Sequence, residues 1–294
     1  MKKLLLLIAL CCTMLLVFGC SQNRDLATSP DQGAAIVLVE RPHFVDTRPQ
    51  AVIESFTLKT EVSHYLYKKP PPPPPDTGGG EDPNPNPAHK YAYIVGISDY
   101  EGTANDLQYC DEDATEMKSL LQGEGFTVRM DVDQSATADA IVAGLQWLVD
   151  NAAPGDEVAF CYSGHGMKST EGSAIISTDL YYIPHGYVMS YFNAANCTKK
   201  LMTLDACVIG DFHGDVMTGT VMATASDNTN SYDAPTLQNG AWTYFFLEAA
   251  NVQNMDFAED VATYAEVEMR AWAKTYHVRV SPKHTDAYTG MFDM

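Results

Sequence analysis

Two short segments of this chain carry side chains able to do covalent chemistry. Tyr162-Ser163-Gly164-His165-Gly166 closes one apolar run, and Leu204-Asp205-Ala206-Cys207 closes another. A thiol attacks an amide carbonyl only as the thiolate, and with a free pKa of about 8.5 an unassisted cysteine is scarcely ionised at neutral pH. It needs a base beside it. His165 is the histidine at the C-terminal end of a predicted interior strand, and Gly164 and Gly166 clear side chains from both of its flanks. The backbone N–H groups of Gly166 and Cys207 could donate to the oxyanion of a tetrahedral intermediate. Taken singly, each residue also fits a plainer description, a buried core cysteine and an unrelated loop histidine.

The elements that must position this pair are legible in the patterning. Tyr91 to Ile97 is a near-continuous apolar run with β-branched residues, as in a strand buried on both faces. Asp111 to Leu121 places Ala114, Met117, Leu120 and Leu121 at helical spacing and stops at Gly123 and Gly125. Thr127 to Met130 is a short strand, Thr137 to Asp150 a second helix, and Pro154-Gly155-Asp156 turns the chain into a strand from Glu157 to Tyr162. A hairpin is expected over Ala174 to Ile183 and a helix over Gly186 to Ala195. Strands at Lys199 to Leu204 and Val221 to Ala225 follow, then helices at Gly240 to Ala250 and Phe257 to Lys274. Alternation at crossover spacing predicts an α/β domain with a mostly parallel central sheet and helices on both faces. In such sheets ligands sit at the carboxyl ends of the strands, where His165 and Cys207 fall.

Upstream, Lys2-Lys3 and the apolar run Leu4 to Phe18 form a leader too short to span a bilayer, which takes about 20 residues. It closes on Val17-Phe18-Gly19-Cys20, which resembles a bacterial lipobox. That resemblance implies removal of residues 1–19, lipid on the Cys20 thiol and a membrane-anchored, exported protein. Ser21 implies outer-membrane sorting, in the periplasm or at the cell surface. An ordinary signal peptide cut nearby is the alternative. Residues 20–89 are then a tether, with Ala35 to Val39 and Ala51-Val52-Ile53 as candidate short strands. Within it, residues 70–87 form a linker: Pro70 to Pro75 should make a polyproline rod, followed by Gly78-Gly79-Gly80 and a Pro/Asn alternation. Residues 90–294 make the catalytic-domain candidate.

In order and in strand context, the blocks of residues 90–250 resemble the caspase-like cysteine peptidases of family C14, most closely the metacaspase and bacterial caspase-domain branch. The matching blocks are Tyr93 to Tyr100, Leu107 to Met117, Ser163-Gly164-His165-Gly166, Asp205-Ala206-Cys207, Ala223 to Ser226 and Gly240 to Phe245. The resemblance implies a three-layer αβα sandwich and a cysteine endopeptidase with a Cys-His dyad. Cys207 would be the nucleophile, His165 the acid and base, and Gly166 with Cys207 the oxyanion donors. Where the family has His-Ser-Gly after the cysteine, this chain has Val208-Ile209-Gly210. Two alternatives stand beside this reading: a catalytically silent caspase-fold lipoprotein acting as a binding module, and a clostripain- or gingipain-type relative.

The resemblance further maps a pocket for a basic P1 side chain onto Asp113, Ser163 and Asp205, and a carboxylate pair can hold guanidinium bidentately. Asp113 also suits a helix start, and Asp205 a loop cap. A net charge of −20 favours cationic substrates. No Lys or Arg occurs from Leu201 through Met269, so a basic-specific enzyme cannot cut itself after the nucleophile, and an active single chain, a monomer, is expected. No cofactor or metal is expected. Calcium activation is not favoured, because Met167 to Thr178 offers only Glu171. Asp211, His213 and Asp215 are expected in a solvated loop. With Cys207 a nucleophile, Cys110, Cys161 and Cys197 cannot all pair. Protein or peptide substrates and a membrane are the expected partners; no phosphate loop and no basic stripe for nucleic acid are present.

Overall fold

The computed structural model of the chain describes residues 39–40, 43–59 and 81–294. The leader, Cys20 and the proline run lie outside these residues. Of the candidate strand Ala35 to Val39, only Val39 falls among them, where it opens β1 (Val39–Glu40). Ala51-Val52-Ile53 is not a strand. It lies in a short helix, α1 (Gln50–Ser55), with Pro49 at the N-cap with φ −58°, and no sheet of the described residues includes it.

The domain then runs β2 (Lys90–Gly96), α2 (Cys110–Gly123), β3 (Thr127–Val132), α3 (Ala138–Asn151) and β4 (Glu157–Ser163). A small antiparallel sheet follows, β5 (Gly166–Ser169), β6 (Gly172–Ile176) and β7 (Tyr182–Pro184). Next come α4 (His185–Ala194), β8 (Lys199–Asp205), β9 (Thr220–Thr224), β10 (Tyr232–Ala234) and β11 (Asn239–Gly240). Helices α5 (Ala241–Asn251) and α6 (Ala258–Thr275) and strand β12 (Lys283–Asp286) complete it. The main sheet has the order β12-β9-β8-β4-β2-β3. All its pairings are parallel except β12 against β9.

Period-two alternation sorts the strand residues between two cores. Tyr93, Val95, Phe160, Tyr162, Met202 and Leu204 face α3 and α4. Ala92, Ile94, Ala159, Cys161, Leu201 and Val221 face α2, α5 and α6. The result is the expected three-layer sandwich. At Gly144 in α3 a Cβ would stand 2.0 Å from the Tyr93 ring, so only glycine lets the helix lie on that aromatic. Residues 81–87, the described end of the expected linker, are tied to the domain: Asp82 takes Lys199 Nζ at 2.9 Å, the Tyr288 hydroxyl at 2.5 Å and the Asp293 N–H at 3.1 Å.

The segment Gly210–Asp215 is not the solvated loop that its composition predicts. It forms 3-10 turns with Phe212 and Asp215 buried, and its polar side chains point to different partners. Asp211 pairs with Lys168, Asp215 with His185 at 2.5 Å, and His213 lies between Thr224 and Thr285. Burial pushes the His213 imidazole down to about 3, so it is a neutral structural group.

Candidate active site

Strands β4 and β8 are parallel neighbours in a register that pairs Tyr162 with Leu204 and Ser163 with Asp205. The residues following each strand therefore leave the same end of the sheet together. The Gly164 N–H donates to the Asp205 carbonyl at 3.2 Å, and a Cβ on Gly166 would stand 2.2 Å from the Cys207 carbonyl oxygen. The histidine and cysteine turns thus touch through backbone, and glycine is the residue that permits it. His165 is 1 % exposed and Cys207 6 %.

His165 is held through both its backbone and its ring. Its N–H donates to the Tyr100 hydroxyl at 2.8 Å, its carbonyl accepts from the Tyr162 hydroxyl at 2.8 Å, and the Tyr100 ring lies 4.8 Å from the imidazole. Nε2 is 2.8 Å from the Asn105 carbonyl. A carbonyl only accepts, so Nε2 carries the hydrogen, and in the neutral ring Nδ1 is left as the basic nitrogen. Sequence reasoning missed Asn105, since a backbone acceptor leaves no trace in residue type.

On the cysteine side, the Ser231 N–H donates to Cys207 Sγ at 3.2 Å. Val208 follows with φ +47°, an unusual conformation for a β-branched residue. Its N–H is tied to the Thr229 carbonyl at 3.0 Å and its carbonyl to the Ser173 hydroxyl at 2.7 Å. Because the Ile176 N–H donates to the His165 carbonyl, the Gly166–Ile175 pair is a non-hydrogen-bonded one, and the Gly166 N–H points out of the β5–β6 ladder. Gly166, Met167, Lys168, Cys207, Val208 and Phe44 line a groove of about 240 Å³.

Asp113, Ser163 and Asp205 come together on the other side. Asp113 accepts from the Ser163 hydroxyl at 2.6 Å, the Asn239 amide at 3.1 Å and the Gly240 N–H at 2.9 Å. Asp205 accepts from the Ser231 hydroxyl on one oxygen, and from the Thr243 N–H at 3.1 Å and hydroxyl at 2.9 Å on the other. Both carboxylates are 1 % exposed. The first turn of α5 supplies donors that a helix N-terminus leaves unused, and its positive end favours the two acids. The cavity that all three line is closed to about 10 Å³, room for about one water.

The segment 43–59 lies across the mouth of the site. Phe44 is buried with its ring 5.5 Å from the His165 imidazole and edge-on to Tyr182. Asn105, whose carbonyl meets His165, holds this segment by its side chain, accepting from the Val45 N–H at 2.8 Å and donating to the Val45 carbonyl at 3.2 Å. Nothing in the periodicity of residues 43–59 signals this placement. Among the described residues no cluster of three or more His, Cys, Asp or Glu is arranged to hold a metal ion, and beside the β5–β6 hairpin Asp211 is engaged by Lys168 Nζ at 2.5 Å. Cys110, Cys161, Cys197 and Cys207 are buried thiols, and burial raises the Cys161 thiol far above the ordinary range.

The model of the caspase domain, Peptidase_C14, matches residues 89–281. The chain belongs to this family. Among its relatives, metacaspase-1 of Scheffersomyces stipitis is 33 % identical over 92 residues, covering 28 % of this chain and 23 % of its own. Metacaspase-2 of Trypanosoma brucei brucei is 37 % identical over 88 residues, 26 % of this chain and 25 % of its own. The matched stretch thus spans about a quarter of the length of these curated relatives. A solved structure of a protein from Geobacter sulfurreducens superposes with a TM-score of 0.54 at 16 % identity, covering 68 % of this chain and 94 % of that one, which is a likeness of fold. The caspase-domain family is one of cysteine peptidases, hydrolases acting on proteins.

Proposed function

We propose that this caspase-domain protein is a cysteine endopeptidase that cuts proteins after Arg or Lys, with Cys207 as nucleophile and His165 as acid and base. The observation that carries the reading is the contact of the two turns, with Gly166 packed on the Cys207 carbonyl and its N–H turned out of the ladder. The thiol proton passes to imidazole and Cys207 Sγ adds to the scissile carbonyl. The oxyanion is met by the Gly166 and Cys207 N–H groups, His165 protonates the leaving amine, and water it deprotonates releases the acyl group. A P1 guanidinium entering between Asp113 and Asp205 displaces the Ser163 and Ser231 hydroxyls and replaces neutral donors with charge-assisted ones.

In this proposal the chain is a lipoprotein anchored through Cys20, exported and active as an unprocessed monomer, with calcium activation not favoured. The absence of Lys and Arg from Leu201 through Met269 supports the unprocessed form. Purified protein offered fluorogenic peptides with Arg, Lys or Asp at P1, with and without calcium, tests the enzyme. Cleavage after Arg and Lys that disappears in Cys207→Ala is expected. A protein that cuts none of them, and whose Cys207 is not labelled by an electrophilic peptide, is the silent binding module instead.

A further inference from the structure

Ser231 is fully buried just before β10 and touches two parts of the site at once. Its N–H donates to Cys207 Sγ at 3.2 Å, and its hydroxyl donates to Asp205 Oδ1. Asp205 Oδ2 is held separately by Thr243 in the first turn of α5. The residues before Ser231 run beside the nucleophile turn, with the Val208 N–H on the Thr229 carbonyl and the Gly210 N–H on the Asp227 carbonyl at 2.8 Å. One residue thus spans the distance between the nucleophile and the acid pocket.

We infer that Ser231 is a positioning residue that ties the nucleophile to the specificity pocket: its hydroxyl is fixed by Asp205, and that fixes the N–H lying against the sulfur. The inference rests on the peptidase reading above. An N–H donor favours a thiolate over a thiol, because the anion accepts the hydrogen bond more strongly. A cationic side chain that binds Asp205 competes with the Ser231 hydroxyl, so occupancy of the pocket is felt at the sulfur through this one backbone unit. The ionisable side chains that line the groove with Cys207 are His43 and Lys168, while Asp205 ends the strand before it and His165 follows the neighbouring strand β4. None of them is altered by the substitutions below.

The test uses the full chain and two readouts, the pH dependence of Cys207 alkylation by iodoacetamide, read on its peptide by mass spectrometry, and kcat and KM on a P1-Arg peptide. Ser231→Ala is expected to move the alkylation midpoint up by about half a pH unit and to lower kcat/KM about tenfold, in both kcat and KM. Ser231→Thr, which restores the hydroxyl, brings both back. Thr243→Val removes a donor to the same carboxylate without reaching the sulfur, so it raises KM and leaves the midpoint in place. If Ser231→Ala does not fold, Ser231→Cys, a weaker donor, takes its place with a smaller shift in the same direction. An unchanged midpoint in Ser231→Ala, or in Ser231→Cys where it stands in, or an equal shift in Thr243→Val, overturns the inference. A midpoint that shifts as expected in a protein that cleaves no peptide supports the tie and removes the peptidase reading.

Discussion

Asp113 on α2 and Asp205 at the end of β8 are anchored by the same helix N-terminus: the Gly240 N–H donates to Asp113 at 2.9 Å and the Thr243 N–H to Asp205 at 3.1 Å. Two buried acids side by side are costly, and the first turn of α5 offsets that cost with donors and a favourable dipole. Asp113→Asn presents an amide to groups that are themselves donors. It is expected to lower stability by roughly 1–3 kcal/mol in urea unfolding and kcat/KM on P1-Arg peptides about a hundredfold. Cys207 remains open to alkylation. Equal loss on every P1 residue would remove Asp113 from specificity.

Gly166 has no room for a side chain, because a Cβ would fall 2.2 Å from the Cys207 carbonyl, which is backbone and cannot swing away. Gly166→Ala therefore pushes the oxyanion donor and the nucleophile turn apart. Loss of cleavage by about a hundredfold or more is expected, with circular dichroism unchanged. Wild-type turnover in this variant would exclude Gly166 from the oxyanion site.

Phe44 packs its ring against the His165 imidazole, with the centroids 5.5 Å apart, and in the proposed reaction it would stand beside the acid and base. Its segment is held by few apolar anchors, with Val45 53 % exposed and α1 without a buried residue, so it opens more easily than the sheet. Phe44→Ala is expected to raise the rate of Cys207 alkylation about fivefold by favouring the open form. A slower or equal rate would mean that the segment shields nothing.

Val208 pairs a β-branched side chain with φ +47° beside the nucleophile. Asparagine tolerates that region better, and the left-handed conformation costs an ordinary residue about 1–2 kcal/mol. Val208→Asn is expected to hold or raise the urea midpoint although it makes the groove more polar. A loss of more than about 1 kcal/mol would show that Val208 packing outweighs the strain.

His284 on β12 meets Glu266 on α6 at 2.6 Å, and this hydrogen bond raises the imidazole above its ordinary range. A base whose folded pKa is raised contributes stability fully below its unfolded value of about 6.5 and loses it as pH rises through the folded value. Wild type should exceed His284→Asn by about 1 kcal/mol at pH 6, a margin that shrinks steadily above neutral pH. A margin that grows with pH would reverse the assignment.

Legibility followed periodicity. Helices α2 to α6 and the parallel strands announce themselves because their buried faces repeat along the chain, and their predicted limits fall within a few residues of those observed. Strand β12 did not, because Lys283-His284-Thr285-Asp286 is polar and half-buried at a sheet edge, and its pairing with β9 is a long-range choice. Ala51-Val52-Ile53 misled for the opposite reason: these strand-like residues join no sheet of the described residues and lie in a short helix after Pro49.

By itself the sequence determined the layer architecture, the family and the residues that end β4 and β8, since these depend on residue type and order along the chain. Tertiary structure decided the rest. It set the β4–β8 register that brings the His165 and Cys207 turns into contact, and it turned Asn105 and Ser231 into partners of the site through backbone atoms that every residue possesses. It also gathered Asp113 and Asp205 at one helix end and laid Phe44 over the imidazole. Such contacts join residues far apart in the chain and are chosen by packing and hydrogen-bond completion, and no local pattern records them.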